Sequence, residues 1–163
     1  MRNTLIKLAA GAVGGAVGTL LMLKSMPLYG KLPKKLQPPR PRQDPGHFLV
    51  QQGERIAGPL PKKMHSRAVH GLRWAYGLSW PIGLAALSGV LGLRAPGKTV
   101  AAGALLGAIV WLAGYEGWMP ALGLAPPAHR VPLAKNVASF GSHVAYGAVA
   151  ALPLAFAPRR LEA

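Results

Sequence analysis

Four ionisable side chains, Lys24, Arg73, Glu116 and His143, stand within or at the ends of runs otherwise poor in charge. An acid set among bases in apolar surroundings could bind a ligand or hold a proton, and a histidine beside it would titrate near physiological pH. The plainer alternative is that Glu116 neutralises Lys24 or Arg73 and fixes helix register, with no further chemistry. Other chemistries find few residues to work with. With no Cys, thiol catalysis, thiolate metal sites and a disulfide scaffold are excluded. Ser139 and Ser142 flank Gly141 one turn from His143, but no acid stands nearby in sequence. There is no phosphate loop or metalloprotease signature either, so no catalytic residue and no enzyme are expected. His47, His65 and His129 lack companions at ligand spacing, so no metal site is expected. A haem held by His70 and His143 is the one cofactor reading left, and it ranks third among the functional readings.

The elements that must position these residues follow from hydropathy. The 163 residues allow one domain, 51% are apolar, and mean hydropathy is +0.28. A net charge of +15 would suit a nucleic-acid binder, but the charge-free runs are too long for one. The charge therefore belongs beside a bilayer, with anionic lipid headgroups as its partner and no nucleic acid. Four stretches, 5–26, 72–93, 99–119 and 136–157, reach the ~20 residues a crossing needs. The expected fold is all-α: a polytopic membrane protein with four transmembrane helices and one membrane domain over 1–163. Glu116 falls about one turn before the end of the third stretch and His143 about two turns into the fourth. Both then lie at similar depth.

Gly11 and Gly15, Gly14 and Gly18, and Gly103 and Gly107 recur at four-residue spacing, which lets helix backbones approach closely. Trp74, Trp80, Trp118, Tyr76 and Tyr115 read mainly as an interfacial belt, Trp111 as a deeper ring against the polar cluster, and His70 as stacked one turn from Trp74. The connection over 27–71 is basic and Pro-rich, and its start is extended. Asp44-Pro45 then supplies an N-cap and a first-turn proline, opening a short helix through about Ala57. Phe48, Leu49, Gln52 and Ile56 share a face of it, for the headgroup layer or for packing on the protein. The excess of Lys and Arg around the first and third connections puts them in the cytoplasm and both termini outside.

The chain also resembles itself. Ala9-Ala10-Gly11-Ala12 matches Ala101-Ala102-Gly103-Ala104, and Met-Pro-x-x-Gly-x-x-Pro occurs at Met26 and again at Met119. Arg73-Trp74-Ala75-Tyr76-Gly77 pairs with His143-Val144-Ala145-Tyr146-Gly147. A duplicated helical hairpin is expected, as a parallel internal repeat: a first copy over 1–93 with an insertion at about 34–61, and a second over 94–160. Residues 161–163 read as a tag remnant. The repeat sets Lys24 opposite Glu116 and Arg73 opposite His143.

On the Tyr76-Gly77 helix, Trp111, Trp118-Met119-Pro120-Ala121-Leu122-Gly123, Pro126-Pro127, Arg130, Asn136 and His143 with Tyr146-Gly147, the chain resembles the YagU-like family of bacterial inner-membrane proteins. The resemblance covers roughly residues 70–158. It implies a multi-pass inner-membrane protein linked to acid resistance, with cytoplasmic termini, and supplies no substrate, cofactor or catalytic residue; His70, Trp111, Arg130, Asn136, Tyr76 and Tyr146 are expected to support the polar cluster. The chain departs from the family pattern in carrying Arg73 where a histidine is expected. The leading functional expectation is envelope or acid-stress homeostasis through the polar cluster, responding to protons or passing a small solute as a homo-oligomer. A scaffold or accessory subunit that binds anionic lipid or a partner protein is the second reading.

Overall fold

The computed structural model describes residues 2–157, and among them every regular element is helical. The long helices are α1 (Arg2–Tyr29), α3 (Lys62–Leu87), α4 (Pro96–Trp111) and α6 (Leu133–Ala155). A short amphipathic α2 (Pro45–Ala57) lies between α1 and α3. After α4 the chain widens into a π turn (Leu112–Trp118), resumes as α5 (Met119–Ala121), and passes a 3₁₀ turn (Ala128–Arg130) before α6.

Among the described residues, three helical stretches are long and apolar enough to cross a membrane: Asn3–Tyr29, Pro96–Ala121 and Leu133–Ala155. The expected crossing at 72–93 is not among them. Its helix begins ten residues earlier, at Lys62, and ends at Leu87 rather than running on to 93, and His70, Arg73, Tyr76 and Pro81 keep its last 18 residues too polar. Gly92, at φ 60°, turns the chain there, and the Leu93 N–H returns to the Ser88 carbonyl at 2.9 Å. The expected tag remnant, 161–163, lies outside the described residues.

α1 packs along α3 on one side and α6 on the other, and α4 packs along α6. The spatial order is thus α3, α1, α6, α4, and α3 meets α4 only sparsely. Glycines set this order. Gly11 and Gly15 face Pro81, Ala85, Gly77 and Leu78 of α3, while Gly14 and Gly18 face Ala150 and Tyr146 of α6. Gly103 and Gly107 face Ala151, Gly147 and the His143 carbonyl. A Cβ at Gly14 would overlap the Ala150 carbonyl, so only glycine permits that approach. Leu84, Ala85, Ala151 and Leu154 form the buried cluster nearest the 88–95 turn.

At the other end α2 begins where expected. The Asp44 carboxylate accepts the His47 N–H at 3.1 Å, Pro45 opens the helix and Ala57 closes it. Val50 is buried, Gly46 lies against Val69 of α3, and Phe48 packs on Met119, Leu124 and Ala125. Leu49 and Ile56 stay exposed, so the expected apolar face is split between protein and surroundings. The Arg42 N–H donates to the Leu124 carbonyl at 2.7 Å, which ties the first connection to the third.

Candidate functional site

The four ionisable residues expected to converge do not do so. Arg73 donates instead to the Asp44 carboxylate at 3.0 Å, and Lys24 and Glu116 are both exposed. Among the described residues the ion pairs are Arg73–Asp44 and His65–Glu54, and Glu116 takes part in neither. The physical reason is the π turn. A π turn adds a residue to an α-helix and rotates everything beyond it, and Gly117 inside this one leaves helical geometry at φ −97°, ψ −107°. The face of Glu116 therefore could not be read from α-helical spacing. Counted from Ala9/Ala101, Lys24 falls on Glu116; counted from Met26/Met119, it falls on Gly117.

His143 sits in an aromatic setting rather than an ionic one. Its Nδ1 lies 2.9 Å from the Ser139 carbonyl, and the Tyr115 ring meets it edge-on at 5.6 Å. Trp111 is buried, donates from Nε1 to the Ser139 hydroxyl at 3.0 Å, stacks on Tyr115 and meets Phe140 edge-on. These contacts lock the π turn onto α6, and among the described residues His143 has no acid partner. Tyr146 is buried, and its hydroxyl donates to the Gly77 carbonyl at 2.6 Å. Asn136 donates to the Ala128 carbonyl at 2.7 Å and holds the 3₁₀ turn. Tyr76 is exposed and edge-on to Trp80, and Arg130 is exposed. His70 is exposed on α3 and forms no ring contact with Trp74 among the described residues. With His70 at the surface and His143 held to its own helix, these two residues do not fit a bis-His haem. No group of three or more His, Asp or Glu is gathered as metal ligands among the described residues.

What the structure does assemble lies in the basic connection. Glu54, His65 and His47 form a hydrogen-bonded chain: His65 Nδ1 is 2.9 Å from Glu54 Oε1, and His65 Nε2 is 3.0 Å from His47 Nδ1. The same Glu54 oxygen accepts the Leu60 N–H at 3.2 Å, closing the turn from α2 into α3. The His65 hydrogen bond above all, helped by the Leu60 N–H, holds the Glu54 carboxyl below the usual carboxylate range. Spacing offered a signal for this chain. His47 and Glu54 are seven residues apart, two turns on one face of α2, and Pro59 and Pro61 turn α3 back toward that face.

Both acids of the connection are thereby engaged, Asp44 by Arg73 and Glu54 by His65. Lys31, Lys34, Lys35, Arg40, Arg42, Arg55, Lys62, Lys63 and Arg67 form no ion pair among the described residues. The result is a basic collar at one end of the helices, with a titratable chain inside it. No known family model, curated protein or solved structure matches this chain.

Proposed function

We propose that this is a non-enzymatic, multi-pass membrane protein of the bacterial inner membrane, a duplicated hairpin of four crossing helices. Its basic collar binds anionic phospholipid headgroups and adjusts that hold to pH. The observation that carries the reading is the Glu54–His65–His47 chain, in a connection whose Lys and Arg, apart from Arg73, form no ion pair among the described residues. Each Lys or Arg close to an anionic surface adds about 1 kcal/mol of attraction. The YagU-like resemblance, with its link to acid resistance, points the same way.

The chain can take up a proton without losing a hydrogen bond. When both rings are neutral, His65 Nδ1–H donates to Glu54, and His65 Nε2 accepts from His47 Nδ1–H. One added proton goes to His47 Nε2 while the His47 Nδ1 proton passes to His65 Nε2; His65 is then cationic, its Nε2–H donates to His47 Nδ1, and the bond between the rings reverses direction. The collar has gained one positive charge with its fold unchanged. A second proton puts two N–H groups face to face at 3.0 Å and breaks the contact. Glu54 faces the His65 ring, Asp44 accepts the His47 backbone N–H and is paired with Arg73, and Lys62 and Arg67 flank His65 in sequence on α3.

Spin-labelled phosphatidylglycerol and phosphatidylcholine in reconstituted vesicles test the reading. The preference for phosphatidylglycerol should be present at pH 7.5 and should strengthen at pH 5.5. His47→Ala with His65→Ala should flatten the pH response and leave the preference at pH 7.5 in place. Equal association of the two lipids at both pH values refutes the reading.

A further inference from the structure

The sparse meeting of α3 and α4 leaves a groove of about 640 Å³ between them, with almost wholly apolar walls. Trp80, Leu84 and Leu87 of α3 face Leu105, Leu106 and Ile109 of α4 across it. It runs from Ser79 to Leu87 on one helix and from Ala102 to Ile109 on the other, about 12 and 11 Å at the α-helical rise. One leaflet of a bilayer offers about 15 Å of hydrocarbon. The groove is therefore as deep as most of a single leaflet, and its volume lies within the range of ligand-binding clefts.

The 88–95 turn closes its outer end, where Leu91 and Leu93 line the wall. Arg94 follows Leu93 directly, and Lys98 lies in the first turn of α4. Both are exposed, and neither forms an ion pair among the described residues. An apolar slot one leaflet deep, with two free cations at its headgroup end, is complementary to one kind of molecule. We propose that this groove holds an acyl chain of one anionic phospholipid, with its phosphate on Arg94 and Lys98. The site lies at the opposite end of α3 from the collar. It rests on the reading of α3 as a membrane-crossing helix and is independent of the collar's lipid contacts.

Trp80, on the groove wall, reports occupancy. The protein is reconstituted in phosphatidylcholine nanodiscs containing a small fraction of brominated phosphatidylglycerol or brominated phosphatidylcholine. Quenching of Trp80 is taken as the difference between the parent and Trp80→Phe. Phosphatidylglycerol should quench Trp80 more than phosphatidylcholine does at equal fraction. Arg94→Glu with Lys98→Glu should remove that excess, since each lost cation weakens an anionic contact about fivefold. Gly83→Phe should remove it too. Gly83 lines the groove and a Cβ there meets nothing within 4 Å, so the ring enters the slot and not a packed neighbour. Circular dichroism of Gly83→Phe checks that the helices persist.

Equal quenching by the two lipids overturns the proposal, as does an excess that Gly83→Phe leaves intact. An excess lost only in Lys34→Glu with Lys35→Glu assigns the lipid to the collar, overturning the groove while the collar reading stands. Trp80 unquenched even in fully brominated nanodiscs overturns both the groove and the crossing of α3.

Discussion

The seam between α1 and α6 is closed, whereas the gap between α4 and α3 is open, and on the proposed duplication these are the same interface occurring twice. The difference is one of side-chain size. Counted from Ala9/Ala101, Gly14 and Gly18 of α1 correspond to Leu106 and Val110 of α4. Counted from Tyr76/Tyr146, Ala150 of α6 corresponds to Trp80 of α3. Where glycine meets alanine, the backbones touch; where leucine meets tryptophan, they cannot, and the groove lies between those two side chains. In lipid, where helix association depends on close packing more than on hydrophobic burial, a few added carbons are enough to turn a seam into a cleft.

The most severe way to break this comparison is to give α1 the residue that α4 carries. Gly14→Leu should push α1 off the Ala150 carbonyl and cost about 3 kcal/mol, the upper range for overpacking a close contact. Thermal unfolding in detergent would register it, and an unchanged midpoint would mean that side-chain size does not distinguish the two faces. Tyr146→Phe is a milder probe of the closed side. It keeps the ring against Gly18 but deletes the bond to the Gly77 carbonyl, for an expected loss of about 1 kcal/mol.

On the open side the sign should reverse. Gly83 is helical and faces empty space, so Gly83→Ala should stabilise α3 by about 1 kcal/mol through helix propensity alone. A destabilising Gly83→Ala in the same melt would show that the groove closes in solution.

The sequence made some of this legible and concealed the rest. α2 was readable because Asp44-Pro45 is a local signal whose meaning does not depend on tertiary context. The all-helical character, and three of the four long apolar stretches, were readable from hydropathy. The polar cluster was not, since grouping Glu116 with His143 assumed uninterrupted α-helical rotation and the π turn at Leu112–Trp118 removes it. On the proposed duplication, the change of spacing from 92 to 93 is the trace of that extra residue. The His47–His65–Glu54 chain was half legible: seven-residue spacing puts His47 and Glu54 on one face of α2, but His65 joins them across a helix–turn–helix corner, 18 and 11 residues away, where no local period reaches.

That chain gives the smallest expected effect, and it locates pH sensitivity within the molecule. Glu54 has its carboxyl held below the ordinary value of 4.5, so its contribution to folding is complete above that value and disappears as pH falls through the lowered one. The contribution is slight, because the carboxylate sits in a solvent-washed turn. Hydrogen exchange followed from pH 7 down to 3.5, corrected for intrinsic rates, should therefore show protection fading at the Leu60 N–H and the last turn of α2, with the α1–α6 seam unaffected. Glu54→Gln should abolish the pH dependence at Leu60, since an amide can still accept that hydrogen bond but carries no charge to lose. Fading that begins at the seam instead would place the acid-sensitive element among the packed helices and detach it from the collar.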